Sequence, residues 1–249
     1  MTSKRNHLPA DCAIALVGAI CLAAASAHAF VPDPSYALGK WLDQIEKVQT
    51  LRIVQRTTII DRGLSGGSAV IEEEIRIKRP SYFRKTSVYP RARVDDFITP
   101  QRAVRFIGDK AETASPVKLL GPVGTFFVYS QRKALLAALK QAEVETSASR
   151  LQLQQGMVTM EIGLEAANRV YLSKDNWVPV AAGLGGRMFR FDTAALSRFP
   201  VPYPDKIEVF EKDVLVERID VVSVEVNPPL SPNVFEPSLL TKPPTKPKS

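Results

Sequence analysis

Period-two alternation of apolar and polar residues runs through most of this chain and limits its possible folds more than any other property. It is clearest in Ile71-Glu72-Glu73-Glu74-Ile75-Arg76-Ile77-Lys78. On a strand, successive side chains point to opposite faces, so the three isoleucines share one face while Glu72, Glu74, Arg76 and Lys78 share the other. Comparable β-prone segments lie at 51–60, 68–78, 94–98, 103–107, 150–154, 158–164, 169–173, 178–182, 187–191, 206–210 and 215–226. A hairpin loop is expected at 61–67, and turn signals fall at Gln155-Gly156, Lys174-Asp175-Asn176, 183–186 and Lys212-Asp213. Helical spacing occurs in two places. Leu38, Leu42, Ile45 and Val48 follow the helix start Asp33-Pro34-Ser35, and Leu135, Leu136 and Leu139 lie within 131–144. Many antiparallel strands with two helices define an α+β, mainly antiparallel β fold: a curved sheet forming an incomplete, half-open barrel closed by about two helices on its concave side. A barrel of this size either fills its interior with side chains or leaves a ligand cavity.

The beginning of the chain reads as an export signal. Lys4 and Arg5 precede an uncharged apolar run at 13–25, and Ala27-His28-Ala29 supplies the small residues of a cleavage site. The expected organisation is a cleaved signal peptide at 1–29, one domain at 30–237 and a disordered Pro/Lys tail at 238–249; an uncleaved N-terminal anchor is the alternative. Both cysteines (Cys12, Cys21) and both histidines (His7, His28) fall in the leader. The mature chain therefore has no residues for a disulfide, a thiolate or imidazole zinc site, a Cys-His nucleophile or a Ser-His-Asp triad. Cys21 follows Gly18-Ala19-Ile20, which is unlike a lipid-attachment site. No cofactor and no metal are expected, and an exported basic chain makes nucleic acid the least suitable partner for its positive charge.

Several motifs suggest chemistry at first sight. Glu72 and Glu74 face away from Glu73, so the three acids form no facing acid-base pair, and a rim position suits Glu73. The glycines at 183–186 lack the strand-loop-helix setting of a phosphate loop and fit a hairpin turn. Met157, Met160, Met188, Phe189 and Phe191 suit a core or an adaptable apolar pocket. The most informative stretch is Lys78-Arg79-Pro80-Ser81-Tyr82-Phe83-Arg84, because parity puts Arg79 on the isoleucine face. An unpaired charge in a sealed core costs several kcal/mol, so this guanidinium must sit at a rim, find partners or line a space.

These residues also resemble a known family. Glu46-Lys47-Val48-Gln49-Thr50-Leu51, the hairpin, and the Lys78-Arg79-Pro80 segment at matching spacing are similar to the LolA-like periplasmic lipoprotein carriers, as are Asp175-Asn176-Trp177-Val178-Pro179 and the closing run from Val226-Asn227-Pro228 to Phe235-Glu236-Pro237. The segment at 99–106 departs from the family pattern, lacking its Asp-Gly and its tyrosine. The resemblance implies an incomplete barrel around an apolar cavity for acyl chains. It also implies that Arg79 lines that cavity and hydrogen-bonds the helical lid in the empty form.

On this basis the chain is expected to be a non-enzymatic periplasmic carrier, a chaperone for outer membrane lipoprotein sorting that shields acyl chains of lipoproteins or lipids. The expected cavity residues are Ile71, Ile75, Ile77, Arg79, Phe83, Phe106, Leu135, Leu139 and Met160, with Arg79 as the gate. The implied partners are acylated lipoproteins or lipids, an inner-membrane release complex and an outer-membrane receptor, with the carrier itself a monomer. A regulatory protein-binding module or envelope-stress sensor on the same fold remains the alternative.

Overall fold

The computed structural model describes residues 31–60, 68–154, 156–164, 168–192 and 198–237. The expected signal peptide, the 61–67 hairpin loop and the 238–249 tail lie outside the described residues. Helix α1 (Pro34–Gln44) starts where the sequence places it, with the Asp33 side chain accepting from the Ser35 amide at 2.7 Å and Pro34 in the first turn. It buries Ala37, Leu38, Trp41 and Leu42 and stops at Ile45, a turn earlier than the apolar spacing suggests. Val48, the last residue of that spacing, is still buried, but as part of the turn into the sheet.

Six strands follow: β1 (Thr50–Ile59), β2 (Ala69–Lys78), β3 (Tyr82–Tyr89), β4 (Ala92–Ile98), β5 (Ala103–Ile107) and β6 (Lys110–Thr113). Helices α2 (Pro116–Val128) and α3 (Arg132–Gln141) come next, then β7 (Ser149–Gln154), β8 (Met157–Ile162), β9 (Arg169–Ser173), β10 (Pro179–Leu184), β11 (Arg187–Asp192), β12 (Lys206–Glu211) and β13 (Val214–Val226). A 3-10 turn, η1 (Pro232–Phe235), ends the described chain. The strands form one antiparallel sheet in the order β6-β5-β4-β3-β2-β1-β13-β12-β11-β10-β9-β8-β7. The sheet curves without closing into a barrel, the half-open architecture expected from the alternation. Its edges are β6 and β7, which are consecutive in the chain, so the segment joining them must cross from one edge to the other. That segment is α2 and α3.

The sequence did not announce α2. Gly121 and Pro122 interrupt its periodicity, and the structure keeps both as a kink: Gly121 has φ 60° and ψ −176° inside the helix. That region of backbone space is essentially reserved for glycine. Further along, the backbone comes so near the sheet at Gly124 that an added Cβ would lie 3.3 Å from the Phe83 ring. Gly185 and Gly186 form the β10–β11 turn, with the positive φ that tight hairpins require, while Gly183 lies within β10 opposite Met188.

Register sorts the side chains. Leu51, Ile53, Gln55 and Thr57 pair with Ile77, Ile75, Glu73 and Ile71, and Ile77, Ile75 and Glu73 pair in turn with Phe83, Lys85 and Ser87, so all of these share the helix-bearing face. The main core lies there, where Trp41, Phe126, Phe127, Leu135, Leu139, Met160 and Leu172 pack together. Each fully buried side chain of this size contributes roughly 1.5–3 kcal/mol over leaving it exposed. The Trp41 indole also donates to the Phe126 carbonyl oxygen at 3.1 Å, tying α1 to α2.

Candidate functional site: the cavity beneath the kinked helix

A cavity of about 290 Å³ remains where the kink of α2 lifts from the sheet. Its roof is the chain from Lys118 to Gly124, and its walls come from β1 to β3 on one side and β11 to β13 on the other. The kink makes this space possible. Pro122 has no amide to offer the Lys118 carbonyl one turn earlier, and at the kink the Gly121 carbonyl oxygen accepts from the Thr125 hydroxyl at 2.7 Å.

The walls are of two kinds. Ile71, Ile75, Phe83, Leu119, Phe189 and Ile219 supply an apolar surface, while Gln55, Thr57, Glu73 and Lys85 form a polar floor. Glu73 is buried, not at a rim. One of its carboxylate oxygens accepts from Gln55 Nε2 at 2.7 Å and Thr57 Oγ1 at 2.6 Å, and the other from Ser87 Oγ at 2.8 Å with Lys85 Nζ at 3.4 Å. Burial by itself pushes this carboxyl up. The Lys85 ammonium and the three donated hydrogen bonds outweigh it and hold Glu73 below its ordinary range, so it is ionised at neutral pH. Lys85 also approaches Asp96 at 4.0 Å, and Asp96 takes two bonds from the Arg105 guanidinium at 2.7 and 3.0 Å. The polar floor thus continues as a chain of alternating charges under α2.

Arg79 lies outside this cavity, at the end of β2, buried and with three backbone acceptors. Nη1 donates to the carbonyl oxygens of Ile45 and, at 3.1 Å, Val48; Nη2 donates to that of Tyr129 at 2.8 Å. The carbonyls of Ile45 and Tyr129 cap the C-terminal ends of α1 and α2, where the helix dipole is negative, so one guanidinium serves two helix C-termini and, through Val48, the turn that follows α1. The backbone amide of Arg79 bonds Gln49 O as well, at 2.9 Å. Asn227 completes the arrangement: its Oδ1 accepts from the amides of Gln49 and Thr50 at 2.8 and 3.2 Å, and its Nδ2 donates to Lys47 O at 3.1 Å. The turn from α1 into β1 is therefore held from both sides, by Arg79 and by Asn227.

The residues expected around a cavity divide into four groups. Ile71, Ile75 and Phe83 line the cavity. Ile77, Leu135, Leu139 and Met160 belong to the packed core and do not line it. Arg79 stitches the helices and does not reach the cavity. Phe106 corrects its expected position outright. It pairs with Asp95 and packs with Phe97 and Val104 in a separate cluster on the opposite face of the sheet. The cause is the turn at 99–102, which brings Ala103 opposite Ile98 and so sends the even-numbered residues of β5 outward. Met157 and Met188 likewise pack against Tyr171 and Ala181 away from the main core. Sequence reasoning missed Gln55 and Thr57, although their parity with Leu51 and Ile53 places them on the inner face.

Among the described residues, no helix is long and apolar enough to cross a membrane and no group of acids is placed to hold a metal ion. No protein-family model matches the sequence, and no curated protein matches it. Solved structures do match. A protein domain from Vibrio parahaemolyticus named for outer membrane lipoprotein sorting superposes with a TM-score of 0.56 at 10% identity, over 84% of this chain and 100% of that one. A DUF1329 family protein from Desulfovibrio piger gives 0.54 at 14% identity, over 84% and 100%. A LolA superfamily protein from Nitrosomonas europaea gives 0.51 at 10% identity, over 81% and 98%. The chain has a LolA-like fold.

Proposed function

We propose that this protein is a non-enzymatic periplasmic carrier that takes acyl chains of lipoproteins or lipids into the cavity beneath α2 and passes them towards the outer membrane. The observation that carries this reading is the cavity itself: space on the inner face, walled by isoleucine and phenylalanine and roofed by a helix that is already broken at Gly121-Pro122. The names borne by the Vibrio and Nitrosomonas proteins of the same fold support it. The export signal expected from residues 1–29 and the lack of histidine and cysteine in the sequence after them would suit a binding role in the envelope.

At about 290 Å³ the cavity lies at the low end of the roughly 300–1,000 Å³ typical of ligand sites. Loading a full chain therefore requires α2 to move. Burial supplies the driving force: about ten methylenes at roughly 0.8 kcal/mol each give about 8 kcal/mol. That exceeds the roughly 1.5–3 kcal/mol of any one charged hydrogen bond holding the helices. In this mechanism Arg79 holds α1 and α2 down in the empty protein, the incoming chain displaces α2, and re-formation of the Arg79 bonds favours release to an acceptor. An inner-membrane release complex and an outer-membrane receptor would be donor and acceptor.

The test is mass spectrometry of organic extracts from the purified mature protein, with displacement of a fluorescent fatty acid as a second readout. Co-purified acyl lipids and saturable displacement are the expected result. A clean extract together with no displacement by fatty acids or acylated peptides would reject the carrier.

A further inference from the structure

The cavity beneath the kink has a neighbour. A second space of about 430 Å³ lies between the start of α2, the end of α3 and the β10–β11 turn. Lys118, Gly121, Pro122, Arg187 and Phe189 line both spaces, so one short stretch of α2 and the start of β11 form their common border. Val117, Pro122, Ala142, Leu184 and Phe189 give the second cavity an apolar lining. Asn168 holds its far wall in place: Nδ2 donates to the Ala142 carbonyl oxygen at 2.7 Å and Oδ1 accepts from the Gly185 amide at 2.9 Å, which ties the end of α3 to the turn. The charges at the border are unevenly matched. Arg187 is occupied, donating to Glu211 at 2.5 Å and to Glu217 at 2.9 Å, and in the first cavity Glu73 has Lys85. Lys118 is exposed and forms no ion pair among the described residues; Glu143, the one acid lining the second cavity, is exposed at the end of α3 and does not pair with it.

Resting on the carrier reading above, we infer that the ligand is a two-chain lipid with an anionic linker, one acyl chain entering each cavity and the phosphodiester resting against Lys118. A cation at the border of two apolar spaces stands where the group that joins two chains must stand. Its flexible four-carbon stem carries the ammonium to either side of that border, and a phosphodiester supplies the counter-charge that the protein does not. An acylated lipoprotein terminus joins its chains through uncharged thioether, ester and amide groups and gives Lys118 nothing to pair with. Two chains also suit the volumes. Each cavity is modest, so a divided ligand enters with less displacement of α2 than one long chain in the first cavity alone.

The experiment displaces a fluorescent fatty acid with soluble lipids of equal total acyl carbon: dioctanoylphosphatidylglycerol, dioctanoylphosphatidylcholine and palmitoyl-lysophosphatidylglycerol. The two-chain phosphatidylglycerol should bind about tenfold more tightly than the single-chain one, roughly what two further buried methylenes contribute. It should bind severalfold more tightly than the phosphatidylcholine, whose own ammonium already neutralises the phosphate. Leu184→Trp narrows only the second cavity and should abolish the two-chain advantage, while Lys118→Gln should abolish the head-group preference. The comparisons on the native chain keep the test independent of whether the variants fold. Equal binding of one-chain and two-chain lipids, or of the two head groups, would overturn the inference while leaving the carrier reading intact. So would tighter binding of a dioctanoylated lipopeptide with an uncharged linker, which would make the cargo a lipoprotein. Failure of all these ligands to bind would remove both.

Discussion

The Nη2 of Arg79 stands 2.8 Å from the carbonyl oxygen of Tyr129, fifty residues further along the chain, while its Nη1 serves the end of α1. One side chain therefore joins the strand end to two of the three helices that lie over the inner face, α1 and α2. Arg79→Leu would leave three carbonyl oxygens without this donor. A loss of about 3 kcal/mol in urea denaturation is expected, with faster hydrogen exchange in the turn at 45–50. Release of a bound acyl chain should slow, because the closed state loses its fastening. Arg79→Lys, a point donor without the planar fork, should recover only part of the stability. Unchanged exchange and unchanged release in the leucine variant would take Arg79 out of the mechanism.

Glu73 gives the stability a defined pH dependence. Its folded-state carboxyl is held below the ordinary value of 4.5, so its contribution is fully present above that pH and is lost as pH falls through the lower folded-state value. Glu73→Gln should therefore be less stable than the native chain at pH 7, and the difference should shrink as acid is added. Denaturation curves of both proteins at neutral and acidic pH measure it. A gap that widens in acid would contradict the assignment of Lys85, Thr57, Gln55 and Ser87 as its stabilising partners.

At Gly121 the cost of a side chain is conformational, not steric. An added Cβ would meet nothing within 4 Å, yet φ 60° with ψ −176° is a backbone state that alanine resists at roughly 1–3 kcal/mol. Gly121→Ala should shift the kink and alter the roof of the cavity, weakening fatty-acid displacement more than it lowers the melting temperature. Ligand affinity equal to that of the native chain would show that the roof does not depend on this residue.

Phe106 and Ile71 provide opposite controls. Ile71→Phe places a larger apolar group on the cavity wall and should reduce acyl binding severalfold with little change in stability. Phe106→Ala removes a ring from the other face and should cost about 3 kcal/mol or more of stability while leaving affinity alone. A reversed pattern would mean that ligand enters on the opposite face.

Asn227 carries the remaining prediction. It takes a left-handed conformation with φ 56° and makes three side-chain bonds to the turn at 47–50. Asn227→Gly keeps the backbone state and removes only the bonds, so it isolates their worth at about 1–3 kcal/mol by chemical denaturation. Asn227→Ala adds the strain of the backbone and should be worse. Equal stability of the two variants would mean that the strain contributes nothing.

Alternation made the sheet legible, since Ile71, Ile75 and Ile77 could share a face only as a strand with a buried side. The faces of β4 and β5 were not legible in the same way. Phe97, Val104 and Phe106 are apolar on one side and Ile98 and Ala103 on the other, so hydrophobicity assigns neither, and the turn at 99–102 decides. The kinked α2 was hidden because Gly121 and Pro122, which shape the cavity roof, are also the residues that erase helical periodicity. Arg79 stood out by its parity, but its partners are backbone carbonyls of Ile45, Val48 and Tyr129. Carbonyls leave no mark in a sequence, so bonding of Arg79 to the helices could be expected only from the family resemblance, and the particular acceptors had to be read from the fold.

The pairing of Leu51 with Val226 puts the earliest and latest strands side by side in the middle of the sheet. A chain emerging from its N-terminus can form the β1-to-β4 hairpins at once, but β1 keeps one bare flank until nearly the entire polypeptide has been delivered. Folding is therefore completed by a zipper between distant ends, a slow type of closure. During that interval the exposed flank is a landing place for foreign strands, and any truncation ahead of β13 would leave it open for good.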